Sequence, residues 1–389
     1  MKSLAAIALA AASVAALPTE QPQGQTLSVP IVYNANGAKD SLQAATSKLS
    51  AKYGGRGGSG TVPTRPSGPV DDVYITEVQI GTPAQTLKLD FDTGSSDLWV
   101  YSNDTVRGVA ADTVRYLPGK SSTARRPAGE TWSISYADLS RSRGIVYHDV
   151  VRIGGLAVPN QGVESAVEAS SSFRGSGLLG LAYDKGNTAK PEKQKTWFSN
   201  IKSSLKAPLF TVRLRHQADG SYNFGYIDES QYSGSITYAP AFPDDLGHRL
   251  FKVDGYAVGS GEVVGHGFTA TPDTGTTLAL IPNAVAAAYW SQVANSTSQK
   301  DDSGSLNYYF PCSERPSLPD LSLSIGGQKL TIPGSLATYE ELGGGTCVGG
   351  ISGGDDISPD NAILGDIFLK AIFTIFDDGN DRIGFAAGK

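Results

Sequence analysis

Apolar and polar positions alternate in short runs along most of this chain. From Val73 onward, VYITEVQIG, TLKLDFDTG, TWSISYA, GIVYHDVVRIGG and LFTVRLRH are apolar at alternate or consecutive positions, and Gly, Pro or Asn bounds them. Runs of this length and period predict strands with at least one buried face. Helical spacing is scarce; TWFSNIKSSL and AVAAAYWSQV are among the few helices the pattern predicts. A chain of 389 residues with 46 Gly and this patterning reads as a mainly β protein with many turns, long enough for two domains.

The N-terminal stretch is patterned differently. MKSLAAIALAAASVAA places one Lys before a run of small and apolar residues, the form of a secretion signal cleaved after Ala16 or Ala15. The run is short for a membrane span, and no later stretch is apolar enough for one. TLSVPIVYN then predicts a strand, AKDSLQAATSKLSAKY a helix carrying Leu42 and Leu49, and GGRGGSGTVPTRPSGP a Gly- and Pro-rich connector. The expected division is a signal at 1–16, a propeptide at 17–60 whose end falls between 54 and 69, and two lobes at 70–216 and 217–389. Up to Tyr53 the leader carries four Lys against Glu20 and Asp40, whereas the whole chain has a formal charge of -6. A basic leader can dock on an acidic body. The acidic balance argues against nucleic-acid binding.

Secretion fits two further features. Cys312 and Cys347 are the only cysteines, and in an oxidising compartment one disulfide is expected, worth about 3–4 kcal/mol for a loop of this length. Asn103-Asp104-Thr105 and Asn295-Ser296-Thr297 are glycosylation sequons, so Asn103 and Asn295 are candidate glycan sites.

The most informative pattern is an internal repeat. LDFDTGSS at 89–96 precedes GLLGL at 177–181, and ATPDTGTT at 270–277 precedes AILGD at 362–366. Each copy has Asp-Thr-Gly and a hydroxyl residue, followed later by two apolar residues and Gly at a similar interval. Such a repeat predicts two duplicated halves related by pseudo-symmetry, with Asp92 and Asp273 each on a tight turn at a strand end. Facing each other across the axis, the two carboxylates would share a proton, because close like charges do not both ionise readily. One would take a proton from water while the other donates to a carbonyl, which is general acid–base hydrolysis of an amide. Gly94 and Gly275 can bring backbone N–H groups close to the carboxylates, and Ser95 and Thr276 can donate to their outer oxygens.

With these motifs the chain resembles the pepsin family, of the fungal penicillopepsin and aspergillopepsin type. The resemblance runs from Val73 to the C-terminus, through YITEVQIGTPAQTLKLDFDTGSSDLWV, WSISY, GLLGLA, SSLKAPLFTVRL, GYIDESQYSGSITY, PDTGTTLALIP and ILGDIFLKAIFTIFD. It implies a bilobal all-β fold with a cleft between the lobes and a β-hairpin flap over it. It also implies that Cys312 pairs with Cys347, and that extended peptides are the substrates and pepstatin-type peptides the inhibitors. The implied enzyme is monomeric, with no cofactor, metal, membrane or nucleic-acid partner.

The flap maps onto TWSISYADLSRSRG. There Tyr136 would cover the substrate, Trp99 would hydrogen-bond it, and Asp138, followed by Ser140, would help accept Lys before the cut. In the leader, Lys52 and Tyr53 match a pair that blocks the cleft in related precursors. The sequence departs from the family where Ala137 and Leu139 replace flap glycines, which puts flap shape and substrate preference in question. Pro272, before the second Asp, removes a backbone donor from a strand end. A catalytically silent binding protein on the same fold is the rival reading; both Asp and the flap Tyr, whose loss would favour it, are present.

Other motifs carry less. Gly175–Gly180 matches GxGxxG but lacks a following helix, and GISGG at 350–354 matches GxSxG within a Gly-rich loop. His148, His216, His248 and His266 are scattered without metal-ligand spacing. KPEKQK at 190–195 reads as a solvated charged loop.

Overall fold

The computed structural model describes residues 60–66, 71, 73–110, 113–136, 140–300, 305–355 and 361–389. Strands dominate, arranged in sheets of thirteen, ten and three among these residues. The patterning explains which strands sit where. Strand Tyr74–Ile80 buries alternate residues and exposes those between, as one face against a core requires. Strand Leu209–Arg215 is buried at six consecutive positions, and Ile372–Asp377 at all six. These are central strands of the thirteen-stranded sheet, packed on both faces. The two expected helices form at Trp197–Ile201 and Asn283–Trp290. Thr196 caps the first, its side chain accepting from Ser199 N at 3.1 Å, and Trp197, Phe198 and Ile201 enter the core.

The two halves repeat one local topology around each Asp-Thr-Gly. In the first, strand Gln85–Asp92 runs parallel to Gly177–Gly180, which pairs antiparallel with Leu98–Tyr101. In the second, Phe268–Pro272 runs parallel to Asn361–Leu364, which pairs antiparallel with Ala279–Ile281. The chain thus leaves a strand at Asp, turns, and comes back past a strand contributed from about ninety residues on. Gly180 and Gly365 stand at these crossings. A Cβ on Gly180 would lie 2.6 Å from Ser96 Cα, so only glycine lets the segments meet there. The all-β, two-half architecture expected from the repeat is the one observed.

One sheet ties the halves together. The hairpin Leu209–Arg215 and Ala218–Phe224 pairs on one side with Gly60–Pro66 and on the other with Ile372–Asp377. The junction expected at 216–217 lies in the turn of this hairpin. Cys312 and Cys347 form the expected disulfide, Cα atoms 5.1 Å apart. The two look-alike motifs are strands: Gly177–Gly180 lies within GxGxxG and is followed by a single 3-10 turn, Asp184–Gly186, and Ile351–Gly353 lies within GxSxG.

A main core spans both halves. A smaller cluster of Trp99, Tyr101, Trp132, Val146, Ala166, Leu178 and Ala189 lies beneath the hairpin that starts at Thr131, with Tyr136 and Phe173 packed against it. Among the described residues no helix is long and apolar enough to cross a membrane.

Candidate active site

Asp92 ends its strand and Asp273 follows the end of the other, each entering the turn made by Thr-Gly. The turns interlock through their threonines. Thr93 N donates to Thr274 Oγ1 at 3.0 Å, and Thr274 N to Thr93 Oγ1 at 3.1 Å. The hydroxyls continue outward, Thr93 Oγ1 to Pro272 O at 2.8 Å and Thr274 Oγ1 to Phe91 O at 2.5 Å. Both threonines are fully buried. Four polar groups that burial would otherwise leave unsatisfied are thereby paired across the pseudo-axis, and the spacing of the two turns is fixed. Pro272, whose missing N–H stood out in the sequence, supplies a carbonyl to this grip.

The carboxylates are held alike. Gly94 N donates to Asp92 Oδ1 at 2.7 Å and Gly275 N to Asp273 Oδ1 at 2.9 Å. Ser95 Oγ donates to Asp92 Oδ2, and Thr276 Oγ1 to Asp273 Oδ2 at 2.6 Å. A Cβ on Gly94 would lie 2.5 Å from Asp273 Oδ1, and one on Gly275 2.5 Å from Asp92 Oδ1. Each glycine therefore sits against the opposite carboxylate, and no larger residue fits. Both Asp are buried, 4% and 8% exposed. Burial first, and then the charge of Asp273, push the Asp92 carboxyl up to about 8, against the pull of Ser95 and Gly94. The two carboxyls lie against each other, each in contact with the other's Thr-Gly turn. One proton thus stays on the pair far above the usual carboxylate range, and it belongs to the pair.

Residues 73–388 match the family model described as eukaryotic aspartyl protease. The chain belongs to the eukaryotic aspartyl protease family. It is 44% identical to endothiapepsin of Cryphonectria parasitica over 90% of this chain and 82% of that protein. It is 41% identical to aspergillopepsin-1 of Aspergillus pseudoglaucus over 99% and 98%, and 44% identical to penicillopepsin-1 of Penicillium janthinellum over 81% and 95%.

In this protease the hairpin over the site begins with strand Thr131–Ser135 and returns on Arg141–Ile153. Tyr136 N donates to Ser140 O at 2.9 Å, closing the hairpin just below its tip, and Ser140 is buried. Tyr136 is half-buried, and its hydroxyl accepts from Trp99 Nε1 at 2.8 Å. Trp99 is fully buried and edge-on to Phe173, which also meets Tyr136 edge-on. Burial, and then the charge of Asp92, hold the Tyr136 phenol protonated, so its hydroxyl remains a donor. Ala137, Asp138 and Leu139 at the tip lie outside the described residues, as do Lys52 and Tyr53. Asn103 and Asn295 are both exposed. Three of the histidines sit beside carboxylates: His148 with Glu130, His216 with Asp71, and His248 with Asp244.

The sequence reading missed three features. Phe173 buttresses both flap aromatics but lies in a Ser- and Gly-rich segment without periodicity. Asp97 and Glu164 form a buried carboxyl pair that no local motif announces, because the partners are 67 positions apart. Asp366, in the second copy's Leu-Gly-Asp, is buried with neither carboxyl oxygen hydrogen-bonded, and burial holds it protonated. Its position in the repeat was a usable signal.

Proposed function

We propose that the chain is a secreted aspartic endopeptidase, made as a zymogen, which hydrolyses peptide bonds in acid with Asp92 and Asp273. The observation that carries this is the reciprocal seating of two buried carboxyls, each against the other's glycine. An extended peptide enters between the halves and beneath Tyr136. The ionised oxygen of the pair removes a proton from a water as that water attacks the scissile carbonyl. The protonated partner donates to the carbonyl oxygen, giving a tetrahedral diol. A proton passed to the amide nitrogen then releases the amine, and the pair returns to its singly protonated state. No covalent bond to the enzyme forms. Asp92→Asn and Asp273→Asn should each lower kcat by at least about a thousandfold and keep the fold, and activity should be bell-shaped in pH with an acidic optimum. Near-parental hydrolysis by either folded variant would overturn this mechanism.

Specificity and activation belong to the same reading. Apolar side chains are favoured around the cut, and Asp138 adds acceptance of Lys on its N-terminal side. Lys52, followed by Tyr53, lies against the ionised dyad of the precursor, and acid releases it by protonating its partner. Secretion is supported by the N-terminal apolar run, the disulfide and the exposed sequons. Strand Gly60–Pro66 pairs with both Ala218–Phe224 and Tyr74–Ile80, so a cut beyond Gly60 would strip a strand from the sheet that joins the halves. We therefore expect maturation between Tyr53 and Gly60, within the interval the sequence left open. N-terminal sequencing of the secreted protein checks it.

A further inference from the structure

A cavity of about 970 Å³ opens where three parts of the molecule meet. The flap strand contributes Ser133, the segment after the first Leu-Gly crossing contributes Lys185, Lys190 and Lys193, and a turn of the second half contributes Asp245 and Leu246. Its position ties it to the peptide path. Ser133 stands three residues before Tyr136. Asn187, also in the lining, donates from Nδ2 to Ser96 O at 3.3 Å, four residues beyond Asp92. Lys190 is pinned to the flap by two backbone bonds, Thr131 N to Lys190 O at 2.9 Å and Lys190 N to Thr131 O at 2.8 Å. The cavity thus lies alongside the flap, between the two halves.

Its charge is unbalanced. Three ammonium groups face one carboxylate. Lys185 takes that carboxylate, pairing with Asp245 at 2.8 Å across the halves. Lys193 Nζ donates to two backbone carbonyls, Lys185 O at 2.5 Å and Asn187 O at 2.9 Å, and its charge acts on the buried Asp97 carboxyl. Among the described residues, Lys190 has no carboxylate within ion-pair distance. Glu130, the nearest acid on the flap strand's approach, is engaged by His148 and Gln194. The loop that read as merely solvated therefore brings a cation without a carboxylate partner, Lys190, to the lining of a concave site.

We propose that this cavity is a specificity subsite for an acidic side chain, Asp or Glu, of the extended peptide substrate. The proposal rests on the endopeptidase reading above. A substrate Glu ionises near pH 4. Preference for Glu over its neutral isostere Gln must therefore appear as pH rises through the Glu pKa, and weaken with salt.

The test is a scan of one apolar parent peptide with Glu or Gln at each position in turn, assayed with the mature enzyme at pH 3 and pH 5. The Glu:Gln ratio of kcat/KM should reach about three- to tenfold at one position at pH 5, as for one or two partly screened ion pairs, and fall toward one at pH 3. Lys190→Ala with Lys193→Ala should abolish the ratio, Lys190→Arg should retain it, and Lys190→Glu should invert it. Each ratio is taken within one variant, so a general loss of activity does not mimic the result. Should Lys193→Ala fail to fold, Lys190→Glu decides, because among the described residues the Lys190 side chain makes no ion pair. A ratio near one at every position, or one indifferent to these variants, overturns the subsite while cleavage of the parent peptide upholds the endopeptidase. Failure to cleave any peptide would instead strike the endopeptidase reading.

Discussion

Replacing Glu164 by Gln should make the protein markedly less sensitive to rising pH. Glu164 and Asp97 are both fully buried. Asn187 Nδ2 donates to Glu164 Oε1 at 2.8 Å, and Thr188 gives Asp97 Oδ1 its N–H at 3.0 Å and its hydroxyl at 2.8 Å. The remaining oxygens, Asp97 Oδ2 and Glu164 Oε2, are buried without a donor, and the two carboxyls lie against each other. Two carboxyls placed in this way need a proton between them. Burial first, and then the charge of Asp97, hold Glu164 well above the usual carboxylate range, and burial raises Asp97 too. The sign follows from the unfolded chain, which releases these protons near pH 4. Below that pH both states are protonated and nothing is lost. Above it the folded state alone keeps the proton, and stability falls by about 1.4 kcal/mol per pH unit for each proton retained, until the raised pKa is passed. Two pH units for one proton amount to about 3 kcal/mol. A glutamine in place of Glu164 would still accept from Asn187, and its amide N–H would donate to Asp97 Oδ2 without a titrating proton. Urea midpoints at pH 4.5, 5.5 and 6.5 measure the effect, with parent and Glu164→Gln both carrying Asp92→Asn to prevent self-digestion. The expected result is similar stability at pH 4.5 and a variant more stable by about 1–3 kcal/mol at pH 6.5. Parallel profiles would refute the shared proton.

Gly94→Ala should nearly abolish peptide hydrolysis, because its methyl would sit 2.5 Å from Asp273 Oδ1; near-parental kcat would show that the turns can separate. Trp99→Phe removes the donor to Tyr136 and should lower kcat/KM about tenfold, with little change in urea midpoint; an unaltered kcat/KM would make Trp99 a packing residue only. Thr93→Val leaves Thr274 N and Pro272 O without their partner and should cost about 1–3 kcal/mol of stability by urea unfolding. The Lys52→Ala precursor should process or show activity near neutral pH, and equal latency of variant and parent would remove Lys52 from the lock.

What the sequence made legible was whatever repeats or alternates. The two Asp-Thr-Gly copies and their distant Leu-Gly partners were readable because each half solves the same crossing, in which only glycine fits. The strands were readable from period two, and both helices from spacing of apolar residues. Trp99 and Tyr136 came through resemblance, and their hydrogen bond is present. Asp97 with Glu164, Phe173 with the flap aromatics, and Lys190 with the flap strand were not legible. Each joins residues from separate strands or loops, and each depends on register that a local window does not contain. Thr93 and Thr274 were visible as part of the motif, but their reciprocal bonds required the two halves face to face.

The illegible acids and the legible dyad are consequences of one condition. Asp92, Asp97, Glu164 and Asp366 are all buried and all pushed up chiefly by loss of solvation. In the proposed mechanism a carboxyl pair that keeps one proton offers an acid and a base side by side. At Asp97, Glu164 and Asp366 the same desolvation does no chemistry, and it ties folding to acid conditions. Asp149, equally buried, accepts from Tyr116, Thr123 and Val150 N. Asp366 has no such donor and sits behind the dyad, where its ionisation would add a second negative charge near Asp273. Both the working form of the site and the stability of its frame depend on carboxyls staying neutral, so a rise in pH should weaken the two together.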